Sequence, residues 1–301
     1  MILPSQPVKK TSKTAAVDGR LRRIEGRHNA LVKELRKAFA HGETTADGFT
    51  AIEGVRILEE ALRSGLRFQA VFFSNSGKSK AERLLPQIAA HVETLLLPDK
   101  LFASAVPSET PQGVAALVGV KEFSLVDVLG RKEAGPLIVL AGLQDPGNLG
   151  TILRSAEAFR AGGIVLGEGT VHHLNSKVVR ASAGSVFRLP IATSKLSEAI
   201  QAMRQNKVRM LATSSHKGIA LRDANLGLPL AIFIGREGAG VSQDLMRDMD
   251  EFIAIPHSSQ VESLNAGVAA SIVLYEAARQ KLIPNLSLSA MPARYRLAVA
   301  A

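Results

Sequence analysis

The chain has no cysteine and no tryptophan. Without cysteine there are no disulfides, no thiolate metal sites and no cysteine nucleophile. Methylation of a pyrimidine C5 through a cysteine adduct is therefore excluded. The lack of cysteine also agrees with a reducing compartment. Aromatic residues make up only 4% of the chain, too few for a base-stacking platform of the RRM type. No apolar run approaches the roughly 20 residues of a membrane span. Met1–Lys13 lacks the apolar centre of a secretory signal, and its basic, acid-poor character leaves an organellar transit peptide as the lesser alternative. Acidic residues are scarce early in the chain. The first forty residues hold ten Lys/Arg against Asp18, Glu25 and Glu34, a local +7 of the chain's +10. Such asymmetry fits a phosphate-bearing partner, or otherwise a solvated tail.

What is present is globular. Hydrophobic residues make up 46% of the 301 positions, and that length favours two domains. Residues 1–20 read as a flexible basic arm without periodicity. From Arg27 onward Leu31, Leu35 and Phe39 repeat at helical spacing. Strands are expected at Phe49–Glu53, Phe68–Ser74 and Gly113–Val120, with helices at Val55–Arg63 and Ser79–Ala90, which makes 21–120 a small α/β domain. Residues 121–135 end in Gly-Pro and read as a linker. A second α/β series fills 136–301. Its expected strands are Pro136–Leu140, Gly163–Leu166, Val208–Ala212, Leu230–Ile234 and Phe252–Ile255. Its expected helices are Leu149–Ala161, Leu196–Gln205, Ser242–Met249 and Ser263–Gln280. Strands alternating with helices predict a mostly parallel sheet with ligands at strand ends.

Three stretches carry polar chemistry. In Leu143–Arg154 a strand runs into a Pro-Gly turn, and Asn148 is a good N-cap for the next helix. Arg154 falls opposite that helix's apolar stripe, where a solvated surface arginine is the plain alternative. In Ile232–Ser242 a buried strand enters a loop with Gly235, Gly238 and Gly240. Its spacing matches neither the dinucleotide fingerprint nor the P-loop, and a simple tight turn would read the same way. In Ile255–Ala270 Ser263 can cap a helix whose N-terminus offers free N–H donors. His257 is the most tempting titratable group there, although a loop histidine is more often incidental.

In order, spacing and strand–loop–helix context, these stretches resemble the three signature motifs of the SpoU (TrmH-like) methyltransferases of the SPOUT superfamily. The resemblance continues through His173–Pro190, where Lys177–Gly184 is similar to the family's basic segment between motifs, and upstream through Asn29–Lys37 and Glu53-Gly54-Val55-Arg56. It covers roughly Arg27 to Lys281. One departure is Arg236 before Glu237, where asparagine is common. The resemblance implies a trefoil-knotted, mostly parallel sheet domain behind a ribosomal-protein-like α/β substrate-binding domain. It implies a cytoplasmic homodimer that uses S-adenosylmethionine (SAM), without metal or membrane, to methylate a ribose 2′-hydroxyl in structured RNA. Ribosomal RNA is favoured over tRNA. A non-catalytic RNA-binding or assembly factor and a dinucleotide enzyme are the competing classes.

By motif, Thr213, Ser214, Ile234, Gly235, Glu237, Gly238, Gly240, Ile255, Ser263, Leu264 and Val268 would hold SAM. Asn148, Arg154, Glu237, Ser263 and Asn265 would act at the reaction centre. There Arg154 clamps a phosphate and hydrogen-bonds the 2′-oxygen, because a guanidinium is a poor literal base. Asn148 holds Arg154 or the ribose, Glu237 orients the site, and Ser263 with Asn265 fixes the nucleotide. Arg27, Asn29, Lys33, Arg56, Arg154, Lys177 and Arg180 would contact RNA.

Overall fold

The computed structural model describes residues 19–282, apart from 43, 216 and 237–239. Most of the basic arm thus lies outside the described residues, as do Glu237 and Gly238. The described chain forms two compact units. One runs to Lys121 and takes in Leu174–Phe187; the other comprises Glu122–His173 and the chain from Arg188 onward.

The first unit holds a five-stranded mixed sheet. Its strands are β1 (Arg22–Arg23), β2 (Phe49–Glu53), β3 (Arg67–Ser74), β4 (Glu93–Leu97) and β5 (Val114–Gly119), in the order β1-β4-β3-β5-β2. β1, β4 and β3 run parallel, and β5 is antiparallel to both β3 and β2. Helix α1 (Ala30–His41) begins where Asn29 Oδ1 accepts from Leu31 N and Val32 N at 3.0 and 3.3 Å. It stops at Gly42, whose left-handed φ of 63° suits a residue without Cβ. Its Val32, Leu35 and Ala38 share a face and enter the core beside Phe72, Leu95 and Leu117. Helices α2 (Val55–Arg63), α3 (Lys78–Leu84) and α4 (Asp99–Ala103) complete the N-terminal part.

The second unit opens earlier than its first strand. The stretch expected as a linker contains helix α5 (Leu125–Leu129). Ser124 and Asp127 form a reciprocal capping box there, and Val128 and Leu129 are buried in the unit's core. The sheet consists of β6 (Leu137–Leu140), β7 (Gly163–Leu166), β8 (Ile191–Thr193), β9 (Arg209–Ser214), β10 (Ile219–Ala220), β11 (Leu230–Ile234) and β12 (Glu251–Ala254). Their order is β10-β12-β9-β11-β6-β7-β8, and every neighbouring pair is parallel.

Such a sheet buries both faces, which is why its strands read as continuous apolar runs. Leu137, Val139, Met210, Ala212 and Phe233 pack with Ala199 and Met203 of helix α8 (Leu196–Gln205). Alternate residues such as Ile138, Leu140, Leu211 and Ile232 are equally buried and, by strand parity, face the other way. Helices α6 (Pro146–Ala158) and α10 (Ala266–Leu282), the latter following the short α9 (Gln243–Met246), pack on each other, with Ser155 Oγ and Ser271 Oγ 2.6 Å apart. Phe159 and Tyr275 meet edge to face at 5.7 Å.

Helix α7 (Ser176–Ala181), with the turns that follow it, belongs to the first unit although it is flanked in sequence by the second. A buried carboxylate explains its anchorage. Glu53 accepts from Ser108 Oγ at 2.6 Å and from Gln112 N at 3.2 Å, and Arg180 Nη1 lies 3.9 Å from the same group. Arg180 also donates to Ser108 Oγ at 2.8 Å. The glutamate side chain is only 3% exposed, so its charge needs these partners.

Candidate active site

In a parallel sheet all strands point their C-terminal ends to one edge, and neighbouring strands place their loops side by side there. β12, β9 and β11 are consecutive neighbours. The loops that follow them therefore meet, although their sequences are far apart. Together they wall a cleft that opens to solvent. Thr213, Ser214 and Ser215 come from the end of β9 and its loop; Ile234, Gly235, Arg236 and Gly240 follow β11. Ile253, Ile255, His257, Ser263, Leu264, Ala266 and Ala269 come from β12, its loop and the start of α10.

The loop after β11 closes on itself. Arg236 N donates to Gly240 O at 3.0 Å, and Gly240 N donates back to Arg236 O at 2.8 Å. A Cβ on Gly235 would lie 2.0 Å from the Gly240 carbonyl carbon. Glycine is therefore required for the turn. Gly142 (φ 80°) has the Arg236 stem beside it: a Cβ there would be 3.0 Å from Arg236 Cγ.

The first and third motifs meet at Gly267. A Cβ at that position would lie 3.2 Å from each of Asn148 Oδ1, Asn265 Oδ1 and Thr151 Cβ. Asn148 is buried in the first turn of α6 and Asn265 sits just before α10. The caps differ from the sequence expectation. Asp145 Oδ1, not Asn148, accepts from Asn148 N at 2.7 Å, because Pro146 takes the first helical position. Asn265 Oδ1, not Ser263, accepts from Val268 N at 3.1 Å, leaving Ser263 exposed on the cleft wall.

Of the residues expected to hold the cofactor, Thr213, Ser214, Ile234, Gly235, Gly240, Ile255, Ser263 and Leu264 line this cleft. Val268 does not. It is exposed on α10, whose helical period turns Ala266 and Ala269 inward instead. Sequence reasoning left out Ser215, Ile253 and Ala269 and set His257 aside as incidental, whereas Arg236 and Ala266 fall in the loop ranges 234–240 and 263–268 that the motifs point to. Ile253 could have been found from Ile255 by the two-residue period of a strand. Arg154 lies further along α6, exposed, with no hydrogen bond or ion pair among the described residues. Of the cations assigned to RNA, Arg27, Lys33, Arg56 and Lys177 are exposed. Asn29 is committed to capping α1 and Arg180 to the Glu53 cluster.

The cleft's donor set fits SAM. Apolar walls from Ile234, Ile253, Ile255 and Leu264 suit an adenine ring, main chain lining the cleft at Gly235 suits its polar edge, and Arg236 can meet a carboxylate. Among the described residues no cluster of His, Asp or Glu could hold a metal ion, and no helix is long and apolar enough to cross a membrane. A parallel sheet with a cleft at its C-terminal edge defines an α/β ligand-binding domain, and this lining is compatible with SAM.

Comparison with known proteins carries this further. Residues 135–275 match the model of the SpoU rRNA methylase family, and residues 29–116 match the MRM3-like substrate binding domain. The chain is 29% identical over 255 residues to RlmP of Bacillus subtilis, a 23S rRNA (guanosine(2553)-2′-O)-methyltransferase, covering 85% of this chain and 98% of that one. It is 33% identical to an uncharacterized tRNA/rRNA methyltransferase of Synechocystis, covering 86% and 94% of the two chains. The crystal structure of an AdoMet-bound rRNA methyltransferase from Sinorhizobium meliloti superposes with a TM-score of 0.75 at 27% identity, over 88% of this chain and all of that one. The protein belongs to the SpoU (TrmH-like) family of SPOUT RNA methyltransferases, and SAM is its cofactor.

Proposed function

We propose that the protein methylates a ribose 2′-hydroxyl in ribosomal RNA, in the cytoplasm and as a homodimer. The observation that carries this reading is the convergence of three loops on one cleft beside Asn148 and Asn265. The name of the Bacillus subtilis relative supports ribosomal RNA and the 2′-oxygen. Transfer RNA is the second substrate class, because the Synechocystis relative carries both in its name.

When bound, SAM supplies an electrophilic methyl group. The protein's part is orientation, which in favourable systems contributes ~7–11 kcal/mol of barrier lowering. Thr213, Ser214, Ser263 and Leu264 hold the cofactor. Arg154, without a side-chain partner among the described residues, clamps the phosphate next to the reacting ribose and hydrogen-bonds the 2′-oxygen. Asn148 and Asn265 fix the nucleotide, and Glu237 orients the site. Arg27, Lys33, Arg56 and Lys177 meet phosphates of the RNA. Val268, Ile272 and Tyr275 form an exposed apolar stripe along α10, which supports a second copy packing there. The knotted threading expected of this fold is part of the proposal: β11 inserts between β6 and β9, both made before it.

The test is to map 2′-O-methyl groups on rRNA and tRNA in cells with and without the gene. Loss of one rRNA site is the expected result. Loss of a tRNA site instead moves the substrate to the second class, and unchanged maps of both RNAs sink the reading.

A further inference from the structure

Three polar side chains converge on Gly267, the residue that follows Ala266 on the cleft wall. Two are the amides of Asn148 and Asn265. The third is Thr151, whose Cβ would lie 3.2 Å from a Cβ at Gly267, the same distance as each amide oxygen. Thr151 is exposed, whereas its helix neighbour Asn148 is buried.

Thr151 stands three residues after Asn148 and three before Arg154 on α6. Three residues advance a helix by about 4.5 Å and fall about 60° short of a full turn. Thr151 is therefore the midpoint of the helix surface that joins those two side chains. With the nucleotide held at Asn148 and Asn265 and its phosphate at Arg154, the ribose between them passes over Thr151.

Hydrogen-bond accounting gives that position a role. A threonine hydroxyl has one hydrogen and two lone pairs. The hydrogen of Thr151 Oγ1 goes to the carbonyl oxygen of Gly147 at 3.0 Å, so toward a ligand this oxygen can only accept. A ribose 2′-hydroxyl also has one hydrogen and two lone pairs. Arg154 is donor-only and engages one lone pair, and the methyl carbon takes the other. The hydrogen still needs an acceptor. Asn265 Oδ1 already receives Val268 N at 3.1 Å.

We propose that Thr151 Oγ1 accepts a hydrogen bond from the 2′-hydroxyl and so turns the reacting lone pair toward the methyl carbon. This rests on the methyltransferase reading and adds to it the group that fixes the hydroxyl's rotation. The contact orients the substrate; threonine forms no covalent bond and takes no proton. It also sorts substrate from product, because a 2′-O-methyl ribose has no hydrogen to give.

The experiment uses full-length protein and total RNA from a strain lacking the gene. Single-turnover rates with tritiated SAM, both ligands saturating, are compared for wild type, Thr151→Val and Thr151→Ser. Valine keeps the branched shape without the hydroxyl, and serine keeps the hydroxyl. Thr151→Val should lose roughly five- to tenfold, the scale of one neutral hydrogen bond, with SAM affinity and Tm unchanged. Thr151→Ser should stay within about twofold of wild type. A second readout separates orientation from a purely structural role. With S-adenosylhomocysteine in place of SAM, RNA from strains with and without the gene is competed for binding. Wild type should prefer the unmethylated RNA, and Thr151→Val should lose most of that preference. The inference is overturned if Thr151→Val keeps the preference, or transfers within about twofold of wild type. It is also overturned if serine falls as far as valine, or if the loss of rate comes with a matching loss of SAM affinity or Tm. Wild type that transfers no methyl group to this RNA overturns the methyltransferase reading itself, which is a different outcome from any of these.

Discussion

Arg154 and Arg180 make the two units directly comparable. Both are exposed arginines on helices, and both sit in stretches that resemble RNA-methyltransferase motifs. In the first unit Arg180 is spent on architecture: it faces the buried carboxylate of Glu53 and donates to Ser108. In the second unit Arg154 faces no protein partner among the described residues. A cation that is already satisfied has little left for a ligand, whereas one kept unpaired is available for a phosphate. Residue type and exposure are equal here, and the partner decides the role.

The largest effect that would break this comparison is catalytic. Arg154→Ala should lower methyl transfer to RNA by roughly 10²–10³-fold, the usual result of removing one charge-stabilising donor, while SAM affinity and Tm hold. Arg180→Ala should do the reverse, lowering Tm with transfer largely kept. Equal losses of transfer in both variants would abolish the distinction. The next effect is on folding. Glu53→Ala leaves Ser108 Oγ and Gln112 N without their acceptor. About 1–3 kcal/mol of stability should be lost in urea unfolding. An unchanged midpoint would show that the cluster does not anchor helix α7.

The effect that is smallest at neutral pH, and grows only on acidification, concerns a buried histidine. His173, in the second unit, is held near a pKa of about 3, first by burial and then by repulsion from His172, whose ring centroid is 4.6 Å away. Its buried Nδ1 has no hydrogen-bond partner among the described residues. An unfolded histidine takes up a proton below about pH 6.5 that the folded one refuses until about pH 3. Stability should therefore be full above that window and fall by roughly 1.4 kcal/mol per pH unit as pH drops through it. His173→Phe should flatten this acid limb in urea titrations at successive pH values. A limb of the same slope in the variant would place the sensitivity elsewhere.

Much of the architecture was legible in the sequence because both faces of the main sheet are buried. Val55–Arg63, Gly163–Leu166, Leu196–Gln205 and Leu230–Ile234 lie where the pattern put them. β4 and β8 were missed. Glu93–Leu97 and Ile191–Thr193 are short apolar runs without a period, and such runs do not distinguish strand from helix. Helix α5 was hidden by the Gly-Pro after it, although Ser124 and Asp127 already spelled its capping box. The site was legible as three motifs, and eight of its lining residues followed from them. The roles of His257 and Ser215 on the cleft wall and the inward turn of Ala269 in place of Val268 were not. They depend on how a loop closes and where a helix starts, which Asn265 rather than Ser263 decides.

The excursion of Leu174–Phe187 into the first unit has a consequence for synthesis. A domain that begins a chain commonly folds as soon as it emerges. Here the carboxylate of Glu53 waits for Arg180, which the ribosome adds after two strands of the other sheet. The two halves must therefore mature in overlap, with the earlier one finished only once the later one is under way.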